Sequence, residues 1–182
     1  MMFLKILESR RSIRKYEERP VEPEIIEQLI EAALRSPSGR SINPWAFVVV
    51  DDREKLDRLS RSKPHGAAFL KGAPLGIVVC ADTSKSDTCV EDASIASIFI
   101  HLAAASLGLG SCWIQIHKRT REDDLTAEQY VARELGIPDG MMVQSIIAVG
   151  YPDETKAGHA KDKLLYDKVH YNTYGTARPW RI

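Results

Sequence analysis

Arg10, Arg11, Ser12, Arg14 and Lys15 crowd into "SRRSIRKY", residues 9–16. Guanidinium forks match phosphate oxygens in pairs, and a serine hydroxyl between them adds a bond. A helical or turn conformation would bring Arg10 and Arg14, at i and i+4, to one side. Each well-made charged hydrogen bond is worth roughly 1.5–3 kcal/mol. The cluster is therefore a candidate polyanion site. A solvated basic face and an RNA-contact arm are the alternatives.

Two other stretches could serve the same site. "SPSGRSINPW", residues 36–45, reads as a loop between a helix and a strand. Pro37, Ser38, Gly39 and Ser41 would present backbone N–H groups and hydroxyls there. Asn43 offers a donor and an acceptor suited to a heteroaromatic edge. Pro44 predicts an extended conformation for Asn43. Lys161 and Lys163 alternate in "AKDKLL", residues 160–165, as if both faced one side of an extended segment.

The totals restrict the choice. The chain has 182 residues with 25 basic and 25 acidic side chains, so any anion site is local and broad nucleic-acid coating is not expected. Three cysteines, Cys80, Cys89 and Cys112, lack CxxC spacing. That argues against a disulfide framework and for a reducing cytoplasm. The start, "MMFLKILESRR", is too charged and too short in its apolar part for a signal peptide. Residues 93–117 contain no Asp, Glu, Lys or Arg. Their serines, His101 and two glycines make them a buried helix followed by a buried strand, not a membrane span.

Several catalytic signatures are missing. There is no GxxxxGK[ST] loop and no GxSxG elbow. "GLGSCW" has Trp113 where a dinucleotide fingerprint needs its third glycine, and it follows a helix. The five histidines lack ligand spacing, so no metal is expected. His101 reads as a core histidine with one hydrogen bond, and Cys112 as a small buried hydrophobe.

The elements that must position these residues follow from periodicity. "FLKILESR" predicts a short helix. "VEPEIIEQLIEAALRSPSG" predicts a clearer one, with Ile25, Ile26, Leu29, Ile30 and Ala33 on one face. Strands are expected at "WAFVVVDD", "PLGIVVCAD", "SCWIQI" and "MMVQSIIAVGYP". Helices are expected at "REKLDRLSRS", "VEDASIASIFIHLAAASLGLG" and "TAEQYVARELGIPDG". From Pro152 onward the chain is rich in Lys, Asp, Tyr and His. It reads as an arm, with Trp180 near its end, on a single α/β domain spanning 1–182.

In this order the pieces resemble the nitroreductase family of flavin enzymes over nearly the whole chain. "SRRSIRKY" is similar to its R-x-S-x-[RK] element. "SPSGRSINPWAFVVV" is similar to P-S-x-x-N-x-Q-P-W, and "AAASLGLGSCWIQ" to A-x-x-L-G-L-G-x-x-W-I. "VGYP", a basic arm and "KVHYN" resemble its ending.

The resemblance implies an α+β fold with a mixed, mainly antiparallel sheet flanked by helices. It implies an intertwined homodimer with FMN at the subunit interface, the arm from about 152 to 182 packing on the partner. Arg10, Ser12 and Arg14 would hold the FMN phosphate and ribityl chain, with Arg11 close by and Lys161 and Lys163 closing from the other side. Pro37, Ser38, Ser41 and Asn43 would line the ring from the opposite subunit. Ile114 and Gln115, with Ile116 beyond, would pass the ring and direct one backbone N–H at N5.

Ser41 stands where asparagine is commoner, and Ile116 where glycine is frequent. The implied activity is ping-pong reduction of nitroaromatics, quinones or related small acceptors by NADH or NADPH, in the cytoplasm, with no nucleic acid, membrane or metal. A dehalogenase or flavin-degrading enzyme of the same fold and a non-catalytic FMN binder are the alternatives.

Overall fold

The computed structural model describes residues 2–121 and 125–177. The expectation for Trp180 lies outside them. The elements are α1 (Met2–Ser9), α2 (Pro23–Leu34), β1 (Trp45–Val50), α3 (Arg53–Leu59), β2 (Leu75–Asp82), α4 (Cys89–Ser106), β3 (Gly110–Gln115), α5 (Ala127–Leu135) and β4 (Met141–Gly150). Each corresponds to a segment expected from periodicity.

Local chemistry sets their ends. Pro23 opens α2, where its missing N–H costs nothing. The Asp52 carboxylate accepts from Lys55 N–H and caps α3. Thr126 and Gln129 form a reciprocal capping box on α5, which Gly136 ends in the left-handed region at φ 67°.

The strands form one sheet in the order β1-β2-β4-β3, every neighbouring pair antiparallel. The parallel component is a bridge between Ser12 and Ser111. β2 and β4 are central and almost wholly buried, so alternate residues enter two cores. Leu75, Ile77 and Val79 meet α2 and α4 on one face. Val78 and Cys80 meet Leu56, Leu59, Leu70 and Val131 on the other. A bulge opposite Val79/Cys80 makes Gln144 an extra residue in β4, which is why Val143 and Ile146 share a face despite their odd spacing. α4 is long and apolar enough to cross a bilayer by length and composition. Here it packs against α2 and the sheet through Ala93, Ala96, Ile100 and Ala104.

Residues 10–17 do not continue α1. They run as an extended strap across one end of the sheet. Ile13 N–H donates to the Ser111 carbonyl at 3.0 Å, and Glu17 N–H to the Tyr151 carbonyl at 2.9 Å. The strap lies close because Gly110 and Gly150, paired across β3 and β4, carry no side chains. A Cβ on Gly110 would sit 2.7 Å from Ile13 Cγ2, and one on Gly150 would sit 2.5 Å from Pro74 Cδ and 3.0 Å from Tyr16 Cδ1. Ring atoms of proline and tyrosine cannot swing aside. Gly150→Ala is therefore expected to destabilise the fold by about 3 kcal/mol, the upper part of the overpacking range, read as a lowered urea midpoint with an unchanged m value.

Candidate functional site

The strap corrects the helical expectation for the basic cluster. Arg10, Ser12 and Arg14 lie on non-helical, extended backbone, so the i,i+4 argument does not apply to them. Ile13 and Tyr16 anchor it in the core, and the Tyr16 hydroxyl donates to the Ile13 carbonyl at 2.5 Å. Arg10 lies close enough to His101 to disfavour its protonation. The Arg14 guanidinium lies 5.7 Å from the Phe69 ring centroid. Lys15 is exposed.

The chain after β4 returns onto this strap. Lys156 Nζ donates to the Ser12 carbonyl at 2.7 Å and to Glu154 Oε1 at 2.9 Å. Glu154 in turn accepts from the Arg14 N–H at 2.5 Å. These bonds hold the Glu154 carboxyl below its usual range, the Arg14 backbone bond being the largest cause. Arg11 donates to the Ala157 carbonyl, and His159 N–H to the Glu8 carbonyl at 2.8 Å. Lys161 follows two residues later. It and Lys163 occupy a 3₁₀ turn, Lys161–Lys163, and both are exposed. The expected extended alternation is thus replaced by a turn, which separates the two lysines around an axis.

β3 is the sheet edge beside the strap. Ile116 N–H donates to the Gln144 carbonyl at 3.2 Å. Hydrogen-bonded pairs alternate along an antiparallel ladder, so the N–H of Ile114 faces β4 and those of Trp113 and Gln115 face outward. The Ile114 side chain is fully buried in the core. Of the residues expected to pass the ring, Gln115 therefore presents an outward N–H and Ile114 does not. The Gln115 side chain accepts from Trp113 Nε1 at 2.9 Å and donates to the His117 carbonyl at 3.0 Å.

The loop before β1 is held by the start of α4. The buried Asp92 carboxylate accepts from Gly39 N–H at 2.8 Å and from the Thr88 hydroxyl at 3.1 Å. Arg40 pairs with Asp87 at 2.6 Å. Ser38 Oγ donates to Asn43 Oδ1 at 2.7 Å and accepts from Asn43 N–H at 2.9 Å. Arg40, Ser41 and Asn43 have φ of 53°, 55° and 53°. Asn43 is therefore not extended as Pro44 suggested: the Ser38 bonds close the loop, and asparagine tolerates the left-handed region. Its amide NH₂ is left for another partner. Pro37 and Ser41 are exposed.

One chain does not bring all these groups together. The loop enters β1 at one edge of the sheet, and the strap crosses the opposite end at the β3 edge. Three strand spacings and most of a strand length put them roughly 25 Å apart.

Two buried groups beside the strap are structural. Burial lowers the His101 pKa to about 4, with Arg10 adding to the effect; its Nδ1 is 2.7 Å from Ser111 Oγ. Burial raises the Cys112 thiol. Phe69, Glu154, Lys156 and Lys63 had no motif to mark them. Lys156 was one more lysine in a basic arm, and only the strap pairing singles it out.

Comparison with known proteins follows these features. The Nitroreductase family model matches residues 7–65 and 60–151. A protein of Archaeoglobus fulgidus, provisionally named NADH dehydrogenase/NAD(P)H nitroreductase, is 40% identical over 92% of this chain and 95% of its own. The structure of an FMN-dependent nitroreductase from Clostridium difficile superposes with a TM-score of 0.93 at 46% identity, covering 94% of this chain and 99% of that one. An iodotyrosine deiodinase of Thermotoga neapolitana is 26% identical over 95% of this chain and 99% of its own.

Two outcomes are expected. Asp92→Ala should release Gly39 and speed limited proteolysis and amide exchange in 36–44 while far-UV dichroism stays unchanged. His101 has a folded pKa below its unfolded value, so its contribution is full above pH 6.5 and is lost as pH falls toward 4. That is about 3 kcal/mol at most. His101→Gln should remove that part of the acid slope in urea unfolding.

Proposed function

The chain belongs to the nitroreductase family, and from that premise we propose that it is an FMN-dependent oxidoreductase using NADH or NADPH. The observation that carries this reading is the β3 edge. Cationic and hydroxyl donors of the strap lie at its start, and outward N–H groups of Trp113 and Gln115 lie further along it. The donor set suits a molecule with a phosphate at one end and a hydrogen-bonding ring at the other.

Arg10, Ser12 and Arg14 would hold the phosphate and ribityl chain, with Arg11, Lys161 and Lys163 adding positive charge. Lys156 and Glu154 position the strap by fixing its backbone. The Gln115 N–H would meet the ring edge. FMN held there would supply the two-electron chemistry, and the site would support ping-pong transfer from NADH or NADPH to a nitroaromatic, a quinone or a related small acceptor. The nearby cations favour an anionic reduced cofactor. No side chain is needed as a nucleophile.

We infer also that the working unit is a homodimer, because Pro37, Ser38, Ser41 and Asn43 reach a ring only from a second chain. Phe3 and Leu4 on α1, Ile98 on α4, and Leu165 and Tyr174 on the arm are exposed. Apolar residues exposed on both the arm and these helices are available to a partner chain, and this supports an arm that packs on it. The cytoplasm remains the compartment proposed from the three unpaired cysteines.

The purified protein is expected to be yellow and to sediment as a dimer. Arg10→Ala with Arg14→Ala should weaken FMN binding on the order of 100-fold, two charged hydrogen bonds being lost. A colourless protein that takes up no FMN contradicts the proposal. An acceptor panel that includes a halotyrosine separates nitro or quinone reduction from dehalogenation.

A further inference from the structure

A groove of about 500 Å³ runs along α2. Ile26, Ile30 and Leu34 form its floor, and Glu27, Glu31 and Arg35 border it. Spacing by four sets each series in a row along the helix. The core takes Leu29 and Ala33 instead. Leu34 is 55% exposed, and Ile26 and Ile30 are half-buried. Past Ile26 the groove meets a recess of about 260 Å³ beside the end of β1.

The rim is acidic. Glu18, Glu27, Glu31 and Asp51 border the two depressions against Arg35 and Arg53. Glu31 holds Arg35 at 2.6 Å. Glu18, Glu27 and Asp51, and Arg53 with them, make no ion pair among the described residues. Three carboxylates therefore face one guanidinium. An occupant that interleaves apolar side chains with cations would match both the floor and the rim.

The chain carries such a segment. Residues 178–182 read Arg178, Pro179, Trp180, Arg181 and Ile182, and no Asp or Glu follows Asp167. Trp and Arg are the side chains that most often anchor an interface, and Pro179 limits the conformational freedom lost on docking. Five extended residues reach roughly 17 Å, and the stripe from Ile26 to Leu34 is about 12 Å long. The arm of the same chain runs elsewhere. It passes α1, where His159 N–H donates to the Glu8 carbonyl at 2.8 Å, and α1 and α2 both pack on α4. Leu165 and Tyr174 on the arm are exposed, so its apolar side chains are not spent on their own chain.

We propose that residues 178–182 of one chain seat in the α2 groove of its partner. Trp180 covers Ile26, Ile30 and Leu34, and Arg178 and Arg181 meet the acidic rim at Glu27. This rests on the homodimer reading above. Burial of the indole supplies most of the binding. The ion pairs are exposed, so they contribute selectivity more than strength.

The test introduces Leu34→Cys and Trp180→Cys together into the full-length holoprotein, followed by mild oxidation, non-reducing electrophoresis and peptide mapping. The three native cysteines are buried. The expected result is a covalent dimer joined between positions 34 and 180, which neither single variant forms. Adding Glu27→Lys should slow its formation about fivefold, and adding Arg178→Glu with Arg181→Glu to that variant should restore it. A link between the two positions within one chain overturns the proposal, because it seats the segment on its own α2. So does a protein that sediments as a dimer but forms no link, or a rate that Glu27→Lys leaves unchanged. Sedimentation as a monomer overturns the homodimer reading, and this proposal with it.

Discussion

The close approach of the strap to the sheet is the constraint on which the site depends. Gly110 and Gly150 face each other across β3 and β4 and leave a bare patch of backbone. Ile13, Tyr16 and Pro74 fill it. Ile13 can then bond to Ser111, and residues 15–17 can pair with 151–153. Any side chain at either glycine would lift the strap away, and Arg10, Ser12 and Arg14 with it. Apolar packing of the strap thus places the charged groups.

Charge is held together by backbone bonds more than by ion pairs. Glu154 and Lys156 bind strap N–H and carbonyl groups directly. Placing a carboxylate among cations reduces their mutual repulsion, while the Arg10 and Arg14 guanidiniums make no ion pair among the described residues. The 36–44 loop is held differently. Asp92, buried at the start of α4, holds the 36–44 loop through the Gly39 N–H and its own helix start through the Thr88 hydroxyl. A buried carboxylate needs such partners, so loop shape and helix start stabilise each other.

Much of this was legible in the sequence. The apolar "GIVVCAD" and "MVQSIIAVG" runs marked two strands, and the uncharged 93–117 stretch marked a buried helix and a buried strand. Motif order pointed to the family. What was not legible depends on pairing between distant segments. The strap is extended because Ser111 is an available partner, not because of its own propensity. Asn43 is left-handed because Ser38 reaches back to it, overriding the preference that Pro44 imposes. The buried N–H of Ile114 and the outward N–H of Gln115 follow from ladder phase, which no single strand encodes. Lys63 and Phe69 lie in a segment without periodicity, and only the folded turn brings them beside Arg14.

The central claim is that one flavin is held by the strap and arm of one chain and the 36–44 loop of another. A crystal structure of the protein grown with FMN tests it most directly. The account predicts a phosphate within hydrogen-bond distance of Arg10 and Ser12, and a ring that meets the Gln115 N–H of the same chain and the Pro37–Asn43 loop of the second. A flavin enclosed by a single chain, or a phosphate seated away from the strap, would contradict it.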